Sequence, residues 1–172
     1  AKEFVKKKQQ DSESNEKEVK LKEQEKEKRI EQRQLAKERI PVIAKSLLEC
    51  KQGTITVDDI TMELADSGKA NFCYSTSDNY DDVFHIGLGE VLCKADPKLV
   101  YCGLFEQGEK IRVIVYAGED ISKEKSAGEI VKSISQILGG AGGGSPKFAQ
   151  GGGTEKSKKE DAIKNAKSMI IE

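Results

Sequence analysis

The 172-residue chain has no tryptophan, one histidine (His85) and three prolines. A lone histidine leaves nothing with which to build a histidine-rich metal centre. The four cysteines (Cys50, Cys73, Cys93, Cys102) include no CxxC pair, so a zinc site is not expected and they read as buried free thiols of a reducing compartment. No apolar run approaches the roughly 20 residues of a membrane helix. The opening AKEFVKKKQQ lacks the apolar stretch of a signal peptide. The expectation is a cytoplasmic protein without a membrane partner, and, because the opening is already helical and carries no initiator methionine, a piece of a longer chain. An excess of either charge is missing too: 29 Lys+Arg stand against 30 Asp+Glu. A protein gripping phosphates along a duplex is normally strongly basic, so DNA is not an expected partner, and any contact with nucleic acid must be local and shape-driven.

What is present divides at about residue 52. Residues 1–52 are mostly Lys, Glu, Gln and Arg. DSESN at 11–15 offers a break, with Asn15 and Glu18 spaced to cap the helix that follows. From there to Arg39 neither glycine nor proline interrupts a polar, projecting helix of about 40 Å. Further on, Ala36, Ile40, Ile43 and Leu47 recur at spacings of four, three and four, with Ala44 and Leu48 beside them, as in a coiled-coil seam. This stripe needs a covering surface: a second copy, giving a homodimer, or the globular half of the same chain. Pro41 inside it predicts a kink or a fresh helix start.

Residues 53–172 have a globular texture. TITVDDITMELAD at 54–66 reads equally as a hairpin turning at Asp58–Asp59 or as a helix. ANFCYST at 70–76 is a strand by alternation. Asp78 then opens a helix with Phe84, Leu88, Val91 and Ala95 inward. LVYCGLF and IRVIVYA form an antiparallel pair around Gln107–Gly108. Ser126 with Glu129, and Ser157 with Glu160, are spaced as capping boxes for two further helices. The expected fold class is α/β (α+β): a long N-terminal helical subdomain, then a small mixed sheet with packed helices.

The unusual stretch is GGAGGGSPKFAQGGG, residues 139–153. Glycine costs about 0.5–1 kcal/mol in regular structure, so two triplets need a reason. They can form a flexible linker, or a loop whose bare backbone lets a partner come close, its N–H groups forming an anion-binding nest. The rigid, cationic and aromatic insert Pro146–Gln150 argues against a linker. No GKS or GKT follows and no strand precedes, which excludes a nucleotide-binding phosphate loop.

Ala127–Lys132 (AGEIVK), Gly139, Gly140, Gly142, Gly143, Gly144, Pro146, Ala149, Gln150, Gly152 and Gly153 follow the pattern of a known family. Over about residues 70–172 the chain resembles the DHH-associated domain found at the C-terminus of alanyl-tRNA synthetases, the region called C-Ala. Two positions depart from it: the family commonly has arginine where Ser145 stands and an acid where Lys147 stands. The related DHH phosphoesterases carry histidine directly after the glycines, where this chain has Ser145. The resemblance implies a non-catalytic module that dimerises through its helices and holds tRNA(Ala) at the outer corner, where the D and T loops meet, in support of aminoacylation and editing. It implies no cofactor in this stretch; ATP, magnesium and zinc belong to other parts of the parent enzyme. The implied RNA contacts are Gly142, Gly143, Gly144, Ser145, Lys147, Phe148, Gln150, Gly151, Gly152, Gly153 and Lys156. Phe148 is alternatively a core plug, and Lys156, Lys158 and Lys159 alternatively a solvated face. His85 and the acid pairs Asp58–Asp59 and Asp81–Asp82 read as structural. Two other functions stay open: a pure coiled-coil assembly module, and the nucleotide-binding domain of a phosphoesterase.

Overall fold

The computed structural model describes residues 2–50, 53–57, 60–66, 68–76 and 80–171. Helix α1 (Lys2–Glu49) leads into strands β1 (Gly53–Val57), β2 (Ile60–Asp66) and β3 (Asn71–Thr76), then helix α2 (Asp82–Ala95). Strands β4 (Leu99–Gln107) and β5 (Lys110–Ala117), helix α3 (Ala127–Ile137), strands β6 (Ala141–Gly144) and β7 (Phe148–Gly153) and helix α4 (Lys159–Ile171) complete the chain. The α+β class expected from the sequence is the class observed. One sheet runs in the order β1-β2-β3-β4-β5-β7-β6. Only β3 and β4 pair in parallel, because α2 carries the chain back between them.

The middle of the sheet is buried on both faces. Phe72, Val100, Cys102, Val113 and Val115 meet α3 and α4, while Met62, Leu64, Cys73 and Tyr101 meet α1 and α2. This is why LVYCGLF reads as an unbroken apolar run: every one of its residues is buried. Residues 54–66 resolve into a hairpin, pairing Val57 with Ile60 and Ile55 with Met62; its Asp58–Asp59 turn lies outside the described residues. The hairpin wins because alternation puts Ile55, Met62 and Leu64 together on the apolar face covered by α1.

Several sequence expectations are corrected. Helix α1 runs without a break through DSESN and Pro41. Pro41 and Lys37, whose carbonyl loses its intrahelical partner, both lie on the exposed side, so the helix continues without burying that carbonyl. The stripe Ala36, Ile40, Ile43, Ala44 and Leu47, expected at a dimer interface, is buried in this chain's own core. Helix α2 and the β1–β3 face supply the covering surface, and only Leu48 of the six stays exposed. Residues 36–47 therefore share one core with the part that follows residue 52. Asp78 lies outside the described residues; helix α2 is capped by Asp81, whose carboxylate accepts from the Val83 N–H at 3.1 Å. Its inward face is Phe84, His85, Leu88 and Leu92, a four-residue spacing that leaves Val91 and Ala95 exposed. Ser126 stands at the N-cap of α3 without a side-chain bond, and α4 begins at Lys159, after a short 3-10 turn containing Ser157.

His85 is fully buried, its ring resting where a Cβ on Gly103 would fall. Its Nδ1 lies 2.9 Å from the Tyr101 hydroxyl and 3.2 Å from that of Ser75. Burial pushes its pKa down to about 3, so the imidazole is neutral and structural. The unfolded state, with an ordinary value near 6.5, binds the proton that the folded state refuses. Stability from this group is thus complete above pH 6.5 and is lost as pH falls from there towards 3, by about 1.4 kcal/mol per unit. Urea unfolding at pH 4.5, 5.5 and 6.5 is expected to show this slope in the wild-type chain and to lose it in His85→Gln. Burial also raises the thiols of Cys73, Cys102 and Cys93, the last to about 12, which keeps them protonated and inert.

Candidate nucleic-acid interface

The glycine-rich stretch is neither linker nor open loop: it is the hairpin β6–β7 at one edge of the sheet. Gly144 pairs with Ala149 and Ala141 with Gly152, while β7 pairs with β5 from Tyr116–Phe148 to Ile111–Gly153. The turn is pinned from several sides. Ser145 N–H donates to the Phe148 carbonyl at 2.8 Å, and the Phe148 N–H donates to Ser145 Oγ at 3.1 Å. Ala127 N–H donates to the Pro146 carbonyl and Ala117 N–H to that of Lys147, each at 2.9 Å. Ser145 is thus a turn former with its hydroxyl occupied.

Most of the glycines are needed by packing inside the molecule. A Cβ at Gly142 would meet Val131 Cγ1 at 2.5 Å, and one at Gly144 the Phe148 carbonyl at 2.5 Å. At Gly151 it would strike the Ser135 hydroxyl, at Gly153 the Leu138 carbonyl, and at Gly140 the Gly152 carbonyl. At Gly142, Gly151 and Gly153 the end and side of α3 leave no room for a side chain, and at Gly140 and Gly144 the other strand of the hairpin leaves none. Gly143 is the exception in this run, with nothing within 4 Å of its Cβ position.

Alternation decides what faces outward. Ala149, Gly151 and Gly153 turn towards α3, so Phe148 and Gln150, with Ala141 and Gly143 beside them, turn to the opposite face, while a Cβ at Gly152 would fall on the Ile111 carbonyl of β5. There α2 covers β4 and β5, while Ala141, Gly143 and Gln150 stay exposed. Phe148 is half-buried against Tyr116, ring centroids 5.3 Å apart, and belongs to neither core cluster. Lys147 is exposed, across a hollow from Glu90 and Lys94. Gln150 Oε1 accepts from Arg112 at 3.2 Å. Of the residues expected to meet RNA, Gly143, Lys147, Phe148 and Gln150 therefore stand together on one face, Gly142, Gly144, Gly151 and Gly153 point the other way, and Gly152 is closed off by the backbone of β5. Lys156 is engaged elsewhere: it donates to the Gly108 carbonyl at 2.8 Å and pairs with Glu106 at 3.4 Å. Lys158 pairs with Glu155 at 2.9 Å.

Sequence reasoning missed Lys110, Arg112 and Thr154. They join Gly139–Ala141 and Gln150–Gly153 around a cleft of about 650 Å³. The signal for Arg112 was its place in IRVIVYA, two residues from Ile114 and four from Tyr116, hence on their side of the strand.

A small mixed sheet with a glycine hairpin packed on a helix defines the class: residues 70–172 match the family model of the DHHA1 domain, and the chain belongs to that family. It is 41% identical over 169 residues, 98% of its own length, to an alanine–tRNA ligase of Nitrosopumilus maritimus (strain SCM1). It is also 41% identical over 92 residues, 54% of its length, to that of Cenarchaeum symbiosum (strain A). The chain spans 18% and 10% of these relatives. Its fold matches the crystal structure of the C-Ala domain from Aquifex aeolicus alanyl-tRNA synthetase, with a TM-score of 0.60 and 25% identity over 64% of this chain and all of that one. The resemblance read from the glycine motif is borne out. No helix among the described residues is long and apolar enough to cross a membrane.

Proposed function

We propose that the chain is the C-Ala module of a cytoplasmic alanine–tRNA ligase, and that it acts by binding, holding the elbow of tRNA(Ala) on the open face of β6–β7. The relatives support the assignment to the ligase. The observation that carries the RNA reading is Gly143, a bare position facing open space in a hairpin whose other glycines are taken up by packing. Beside it Phe148 offers a ring face, Gln150 an amide edge and Lys147 a charge, the combination that reads unpaired or tertiary-paired nucleotides. Catalysis, with ATP, magnesium and zinc, falls to other parts of the parent enzyme. The test is titration with two labelled RNAs, one joining the D and T arms and the other an anticodon stem–loop. The elbow RNA is expected to bind at least tenfold more tightly; equal affinity for both overturns the assignment.

Self-association through α1 is a second proposal, now moved to another face of the helix. With the inward stripe covered, Leu21, Leu35 and Val42 remain exposed at multiples of seven residues, a spacing that places them on one side of the helix.

A further inference from the structure

The cleft at the far end of the hairpin from Ser145 carries no carboxylate. In a chain of 30 acids and 29 Lys+Arg, its lining holds Lys110 and Arg112 and otherwise only neutral residues. Two other hollows differ: one beside α1 includes Glu31, Asp81 and Glu106, and one beside Tyr116 includes Glu90 and Glu119. The nearest acid is Glu155, whose side chain lies against Gly139 at the rim and pairs with Lys158, while Glu106 pairs with Lys156. Among the described residues neither Lys110 nor Arg112 is in an ion pair.

Their placement is that of an anion seat. Lys110 and Arg112 are two apart on β5, so both point to the same side, about 7 Å from one another. Gln150 holds the guanidinium by one N–H and leaves its other donors for a second acceptor. Gly140 and Gly152 line the cleft beside them as bare backbone. A tetrahedral anion fits this: a guanidinium fork takes two oxygens and an ammonium supplies a point charge. We propose that the cleft seats a backbone phosphate of the bound RNA, held by Lys110 and Arg112. This rests on the tRNA reading and adds to it two residues outside the glycine motif, at the end of the hairpin away from Ser145.

The test has two arms, both on the full chain and on Lys110→Gln and Arg112→Gln, with unfolding midpoints to confirm that the variants fold. In the first, tRNA(Ala) affinity is measured from 50 to 300 mM KCl. Each variant is expected to bind about five- to tenfold more weakly at 100 mM and to lower the slope of log K against log salt by about one, the mark of one lost phosphate contact. Wild-type slopes in folded variants overturn the seat while leaving the tRNA reading in place. In the second arm, inorganic phosphate is titrated at millimolar concentration and amide shifts are followed. Saturable shifts confined to Gly139–Ala141 and Gly151–Thr154, lost in the double variant, support the seat even if tRNA does not bind; their absence overturns it.

Discussion

Alanine at Gly140 is expected to cost the fold about 3 kcal/mol, whereas alanine at Gly143, three residues on in the same hairpin, is expected to change stability by less than about 1 kcal/mol. The added methyl at Gly140 falls on the Gly152 carbonyl oxygen and within 2.8 Å of two further backbone atoms of β7. Backbone has no rotamer by which to step aside, so the hairpin must separate from its partner strand or from α3. At Gly143 the methyl enters open space, and a less flexible unfolded chain offsets any small loss. Urea midpoints of the two variants decide it. Equal stability would mean that Gly140 does not lie against the backbone of β7 as described.

The second large effect separates the two sides of α1. Ile43→Asp places a carboxylate at a fully buried position between α2 and the sheet, with no partner to take its charge. A loss of about 4 kcal/mol or more is expected, enough to unfold a domain of ordinary stability. Leu35→Glu combined with Val42→Glu changes exposed positions, so the fold should hold within about 1 kcal/mol while any assembly of copies through α1 dissociates. Unfolding curves with sedimentation at matched concentration give both readouts. A double variant that associates as the wild type does rules out this face as the contact. Deleting residues 1–52 is a poor test of assembly, because it uncovers Met62, Phe84 and Leu88 and damages the fold itself.

Local pattern made much of this readable from sequence. The continuous apolar run of β4 announced a strand buried on both faces, and the glycine signature with AGEIVK before it carried the family. Where the reading failed, the missing information lay in the third dimension. An a/d stripe on α1 states that a cover is needed but not which molecule provides it, and here α2 and β1–β3 provide it. Val91 and Ala95 have the spacing of a buried face, yet α2 turns Leu92 and Cys93 inward instead. The glycine triplets called for close approach, and sequence could not show that the approaching body is largely the chain's own helix α3. Lys110 and Arg112 escaped notice because about 30 to 40 residues separate them from the glycines that they face across the cleft. Phe148 had two open roles; its half-buried ring against Tyr116, outside both cores, favours contact at the surface.

Gly143→Trp puts a large ring onto the open face from a position whose Cβ has nothing within 4 Å. Its affinity for tRNA(Ala), measured by anisotropy beside the wild type at one salt concentration, is the most direct trial of that face. At an unchanged unfolding midpoint, binding at least tenfold weaker is the expected result; wild-type affinity would show that RNA, if it binds, docks elsewhere.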